Sequence, residues 1–367
     1  MKFALIENGT NPARDRIAEE IVRACLARGH ELAPAGNGVK FVLNLTDTDA
    51  PRLFRRRAQS VIVVSLVTAK APPEDLRSLC YTTLVRTLSN VVLCAVPRPG
   101  AADDGGPAWE MYFTTPEAGF YHLPYDAESV CDKLIPIAAA RFAIDNRISE
   151  DLPPAYWETS PVIEDLRRAA ARLGGLGVLP VPFPLHELLS EDSIRHIFLI
   201  FGMKGLSYGN MSARERIPGL GEATFWMTAR GVDKSRVSVI GRDFLLVRGL
   251  DYEAREVLVS APPSRDPRAR VSVDAVEHEL IYQSFPEVGA IVHVHAWVDG
   301  IACTRQNYPC GTIELAEEVV RMLRGTPAPG RAIVGLKNHG LTITGPDLDD
   351  IFGRLEGRLQ TEVRMIA

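Results

Sequence analysis

The chain has no apolar run long enough to cross a bilayer, so no membrane-spanning helix is expected. Its first residues, Met1 to Ile6, turn polar at Glu7-Asn8-Gly9, too soon for a secretory leader. Cysteine is scarce. The six residues (Cys25, Cys80, Cys94, Cys131, Cys303 and Cys310) form no C-x-x-C pair, which points to reduced, mostly buried thiols instead of a disulfide framework. A formal net charge of -5 gives no reason to expect nucleic acid or an acidic membrane as partner. The spaced glycines of a dinucleotide loop are missing after the first strand-like run. No internal repeat or low-complexity tail is present. What is there is the composition of a globular protein with a cytoplasmic location as the simplest reading. The 367 residues suit one large or two medium domains.

The first part alternates short apolar runs with helical periodicity. Strands are expected at Phe3–Ile6, Val39–Asn44, Ser60–Ser65 and Asn90–Cys94, with two more near Trp109–Phe113 and Gly119–Leu123. Helices are expected over 12–28, 72–88 and 126–142, the last with Asp126 as its N-cap. This alternation predicts an α/β sandwich over residues 1–150. Its loop from Ile6 to Asn11 could meet a ligand at a helix N-terminus, but a structural or oligomer-forming role suits this half better. Residues 151–187 are rich in proline and glycine around one helical stretch, Val162–Leu173, and read as a linker. Residues 188–367 change character. A helix over Leu188–Met203 is followed by strands at Gly209–Arg214, Ala223–Thr228 and Asp243–Val247, and by a helix over Val273–Ser284. Then come a strand around residue 293, a helix over Ile313–Leu323, two short strands flanking His339 and a last helix over Asp349–Ile366.

The run Ile291-Val292-His293-Val294-His295-Ala296 holds two histidines two apart. A strand repeats every two residues, so both imidazoles share one face. His339 follows the strand-like run Arg331–Leu336 and precedes a second, Leu341–Thr344. Three histidines at strand ends, with room for water or substrate, form the layout of a catalytic metal site. The bland alternative is three ordinary buried or turn histidines.

The C-terminal half, about residues 188–367, resembles the class II aldolase/adducin family, typified by fuculose-phosphate aldolase and ribulose-phosphate 4-epimerase. The resemblance is carried by an ordered set of motifs. They are Gly209-Asn210-Met211-Ser212-Ala213-Arg214, Met227-Thr228-Ala229-Arg230-Gly231-Val232, Asp274 with His278 and Tyr282-Gln283, His293-Val294-His295, Gly311-Thr312-Ile313-Glu314-Leu315-Ala316, and Asn338-His339-Gly340. It implies an αβα domain with a central, mainly antiparallel sheet. It also implies a divalent metal, usually zinc, held by His293, His295 and His339 and stabilising an enediolate or enolate of a small polar carbonyl substrate. Imidazoles also suit Fe, Mn or Co, so the ligands alone do not name the ion. A homotetramer with active sites near subunit interfaces is implied too.

Asp274 stands where the family's aldolases carry a catalytic glutamate and its 4-epimerases an aspartate, and it could act as general base or bind the metal itself. It could also cap the following helix, a role compatible with either. His278, one turn on, could orient it or simply pack. Gly209, Asn210 and Ser212 resemble the anion loop. The family's second phosphate element becomes Arg230-Gly231 and Ser272-Val273, with one serine lost, so the phosphate pocket is only partly matched. Arg230 could grip a carboxylate instead, or be a surface residue. Glu314 and Glu317 are assigned to the helix dipole, and Lys337 and Asn338 to orienting His339. No tyrosine follows Tyr308, so the C-terminal catalytic tyrosine of sugar-phosphate members has no counterpart. The leading reading is a metal-dependent lyase of aldolase or decarboxylase type. The alternatives are an epimerase or dehydratase on the same site, a non-haem iron oxygenase, and a non-catalytic adducin-like scaffold.

Overall fold

The structure is a computed structural model and describes residues 1–56, 60–69, 75–98, 108–117, 119–179, 191 and 207–366. The helix expected over 188–203 falls outside these residues apart from position 191. The chain divides into two compact units, Met1–Ala140 with Met365–Ala367, and Arg141–Arg364. No helix among the described residues is long and apolar enough to cross a membrane.

The first unit is built on one mixed sheet of seven strands. They are β1 (Lys2–Glu7), β2 (Glu31–Leu32), β3 (Val39–Leu45), β4 (Ile62–Thr68), β5 (Val91–Pro97), β6 (Trp109–Thr114) and β7 (Phe120–Pro124). Their order is β2-β1-β3-β4-β5-β6-β7, parallel through β5 and closed by the antiparallel pair β6 and β7. Strands β3 to β5 are buried almost end to end, the pattern of parallel strands covered on both faces. The helices are α1 (Pro12–Ala27), α2 (Leu76–Thr87) and α3 (Ala127–Ala139). Each is capped as its sequence allows: the side chains of Asn11, Asp75 and Asp126 accept from Arg14, Ser78 and Ser129 backbone N–H groups. The loop after β1 is internally committed. The fully buried Arg14 guanidinium donates to the Asn8 and Gly9 carbonyls and to Asp15 and Asp47.

The second unit is built on an eight-stranded sheet. Its strands are β8 (Asp145–Ser149), β9 (Asn210–Arg214), β10 (Phe225–Thr228), β11 (Phe244–Asp251), β12 (Glu256–Ser260), β13 (Ala290–Val294), β14 (Ile333–Leu336) and β15 (Gly340–Gly345). The order is β14-β15-β13-β9-β10-β11-β12-β8, antiparallel except for β8 beside β12. Helices cover both faces, giving the expected αβα arrangement. Val292 and Val294 pack into a core with α4 (Pro161–Gly175) and α7 (Leu348–Leu355). Ile291, of opposite parity, packs with α5 (Ala275–Ser284) and α6 (Ile313–Arg324).

Two elements of this unit escaped the sequence patterns. The stretch holding β8 reads as the end of the first half, yet β8 pairs with β12, itself unforeseen. The last helix ends at Leu355 instead of Ile366. Gly357 adopts a left-handed φ of 70°, which breaks the helix, and Gln360 instead exchanges backbone hydrogen bonds with Trp297.

Candidate metal centre

The site forms where β13, its neighbours β9 and β15, and the N-terminus of α5 converge. His293 sits within β13, facing Asn210 of β9 on one side and Thr342 of β15 on the other. His295 is one residue past the strand end, so only His293 is on the strand proper. His339 is carried by the turn between β14 and β15, where Asn338 takes a left-handed φ of 56°. Two glycines let the backbones close on β13. A Cβ on Gly209 would lie 2.6 Å from the His293 carbonyl oxygen, and one on Gly340 would lie 2.2 Å from that of Val294.

The structure brings the three histidines together. Their ring centroids are 4.7 to 5.1 Å apart and the rings are steeply inclined to one another. One ligand atom from each lies within 4.8 Å of the others. His295 and His339 approach Nε2 to Nε2 at 3.2 Å. All three are buried, which pushes each imidazole below its ordinary pKa and keeps it neutral, the form that binds a metal. The Leu341 carbonyl can only accept, so His293 donates to it from Nδ1 at 3.0 Å and presents its Nε2 lone pair to the site. That Nε2, and Nδ1 of His295, are buried with no hydrogen-bond partner among the described residues. Buried unpaired nitrogens cost about 1–3 kcal/mol each unless something fills the gap. The unpaired Nε2 of His293, with the Nε2 atoms of His295 and His339 that face each other, therefore fits a divalent cation. The Tyr208 ring stacks on His295 at 4.3 Å and fixes its plane.

Asp274 sits at the N-cap position of α5 but makes no side-chain capping bond. Its Oδ2 accepts from Asn210 Nδ2 at 2.7 Å, and Oδ1 is buried without a partner among the described residues. The capping role is thus not taken up, and one carboxylate oxygen is left over. His278 does not orient Asp274 by a side-chain hydrogen bond. Its Nδ1 pairs with the Ser212 hydroxyl at 2.7 Å, which also meets the Tyr282 hydroxyl at 2.8 Å. Ser212 is fully buried in that chain, so its hydroxyl is not offered to a bound anion as the motif suggested. Asn210 is committed through its amide nitrogen to Asp274, while its Oδ1 remains unpartnered.

Arg230 is half-buried and not a surface residue. One of its NH₂ groups reaches the Ile144 carbonyl at 3.3 Å, and its Nε is buried without a partner among the described residues. Gly231 is buried with φ 69°, and Ser272 is buried in the short stretch before Asp274. Glu314 pairs with Arg141 at 2.7 Å while standing in the first turn of α6. Several residues near the site carried no sequence signal. Lys234 is buried, its Nζ donating to the Ser207 carbonyl at 3.2 Å, and burial lowers its pKa to about 8 against the pull of Asp274 and Asp233. Glu277 is buried on α5. Its pKa is raised to about 8 by burial and by Asp274, against a hydrogen bond from Thr342. Cys310 places its Sγ 3.3 Å from His339 Nε2.

Residues 193–306 match the family model described as Class II Aldolase and Adducin N-terminal domain. Over those residues the chain is similar to a class II aldolase/adducin domain. The chain is 30% identical over 142 residues to methylthioribulose-1-phosphate dehydratase of Enterobacter sp. (strain 638), covering 39% of this chain and 55% of the relative. The chain therefore spans about half the length of that curated relative. Among solved structures, L-fuculose 1-phosphate aldolase matches at 17% identity and a TM-score of 0.36, over 54% of this chain and 82% of that one. An aldolase II superfamily protein from Pseudomonas syringae matches at 18% identity and a TM-score of 0.35, over 56% and 72%. The aldolase/adducin match starts at residue 193 and does not reach the first unit.

Proposed function

We propose that the class II aldolase/adducin domain is a divalent-metal-dependent lyase acting beside the carbonyl of a small polar substrate, by aldol-type cleavage or decarboxylation. The observation that carries this is the buried trio His293, His295 and His339 with ring nitrogens left unpaired, next to the unpaired Oδ1 of Asp274. The three histidines would hold the ion, with zinc the first expectation and iron, manganese or cobalt the alternatives. When bound, such an ion supplies Lewis-acid polarisation of a substrate oxygen. Asp274, oriented by Asn210, takes or returns the proton at the adjacent carbon through Oδ1. Arg230 binds a substrate carboxylate, with the backbone at Gly209, Gly231 and Ser272 shaping the pocket around it. A homotetramer with sites near subunit interfaces belongs to the same reading. Dehydration is the second reading, favoured by the dehydratase among the relatives and open to the same base.

Metal analysis of protein purified without chelator, beside His293→Ala and His339→Ala, tests the site. About one divalent ion per chain is expected, and near none in either variant. Keto acids, hydroxy acids and sugar phosphates incubated with the protein in deuterated water then test the chemistry by NMR. Deuterium entering beside a carbonyl, and lost with Asp274→Asn, supports the base. Metal-free wild type after supplementation with zinc, manganese and iron would overturn the reading.

A further inference from the structure

We propose that Cys310 is a fourth protein donor to the metal, so that the resting site is His₃Cys and not an open His₃ site. This rests on the metal reading above and adds a ligand to it. The geometry points there on two counts. In a tetrahedral zinc site, bond lengths of about 2.0–2.1 Å to nitrogen and 2.3 Å to sulfur place two nitrogens about 3.4 Å apart and a nitrogen and sulfur about 3.6 Å apart. The His295 Nε2 to His339 Nε2 distance is 3.2 Å and the Cys310 Sγ to His339 Nε2 distance is 3.3 Å. Both lie within a few tenths of an ångström of tetrahedral edges that share the His339 nitrogen. The second observation is independent of the thiol: His293, 2% exposed, has its Nε2 buried and unpartnered among the described residues.

The thiol is also held in place. The turn that carries it is tied on both sides to the stretch preceding β8. Ala143 N–H donates to the Gly311 carbonyl at 2.8 Å, and Ile313 N–H donates to the Arg141 carbonyl at 3.0 Å. Thr312 Oγ1 donates to the Pro309 carbonyl at 2.8 Å and accepts from Leu315 N–H as the cap of α6. A Cβ at Gly311 would strike Ile144, so the turn is packed against that stretch. A thiolate in the fourth position makes the resting site resemble a closed structural site. Held there, Cys310 would control the access of a substrate oxygen to the ion. Binding costs the thiol its proton, which leaves to solvent.

Cobalt(II) substitution of the full chain, done anaerobically, tests this without any substrate. Wild type loaded with one equivalent is expected to show visible d–d bands of a four-coordinate site and a near-ultraviolet thiolate-to-cobalt charge-transfer band. Cys310→Ser should keep the d–d bands and lose the charge-transfer band, whereas Cys303→Ser should keep both. Wild type showing d–d bands without charge transfer would overturn the proposal while leaving the His₃ reading intact, with Cys310 a hydrogen-bond partner of His339 only. A charge-transfer band that survives in Cys310→Ser would overturn it too. Absence of any d–d band would remove the metal reading itself and the proposal with it. The wild-type spectrum decides even if Cys310→Ser fails to fold.

Discussion

Replacing Glu277 by glutamine should stabilise the region around α5 at alkaline pH and leave it unchanged at acid pH. The Glu277 side chain is 2% exposed, with Oε1 accepting from the Thr342 hydroxyl and Oε2 unpartnered among the described residues. Burial and the neighbouring Asp274 raise its pKa from 4.5 to about 8. Between those values the folded state holds a proton that the unfolded state has lost. Stability therefore falls as pH rises from 4.5, and the loss is complete above about 8. At about 1.4 kcal/mol per pH unit, the full penalty is about 5 kcal/mol in the metal-free protein. Glutamine has the shape of the protonated acid and no charge to desolvate. Glu277→Gln should therefore match wild type near pH 4.5 and exceed it by several kcal/mol near pH 8. Amide hydrogen exchange of the α5 and β15 peptides at pH 5, 6.5 and 8, corrected for intrinsic rates and done with chelator present, reads this region locally. Equal protection of the two proteins at all three pH values would refute the reasoning, as would a glutamine variant less protected at pH 8. Either result would mean that the carboxylate has solvent or a cation as partner.

Other consequences are as direct. Gly340→Ala should push the His339 turn away from β13, because the new Cβ would sit 2.2 Å from the Val294 carbonyl oxygen; a loss of about 2–4 kcal/mol and of bound metal is expected, read by urea unfolding and metal analysis. Ser212→Ala leaves His278 and Tyr282 without their shared hydroxyl and should cost about 1–3 kcal/mol in the same unfolding assay. The buried His278 has its pKa pushed down to about 3, so the unfolded chain binds the extra proton first and stability is lost as pH falls from 6.5 towards 3. His278→Gln should flatten that acid limb in a pH series of unfolding curves, and an unchanged limb would assign it to other groups.

How much could be read in advance depended on how local the signal was. Asp126, expected as a cap, does cap its helix because capping needs only a side chain and an amide three residues on. The strands β3 and β5 were legible because parallel strands buried on both faces become continuous apolar runs. By contrast, β8 is short and partly exposed, and its sequence, Asp-Asn-Arg-Ile-Ser, has no apolar alternation; it is a strand only because β12 offers an edge more than a hundred residues away. Lys234 and Glu277 carried no signal at all, since nothing in a linear sequence says that a loop or helix turn will be covered.

The sequence by itself determined the class of site. Two histidines at a period of two, a third after a strand, and the ordered motifs from Gly209 to Gly340 specify donors and neighbours through short-range geometry. Only the tertiary structure decided how those groups are spent. Asp274 is held by Asn210 across paired elements and does not cap its own helix, Ser212 is absorbed by His278 and Tyr282, and Cys310 is brought beside His339 from the turn before α6. The reason is physical: a residue type fixes what a side chain can bond, whereas burial and the partners left within about 3 Å, set by chain packing at long sequence separation, decide which of those bonds form.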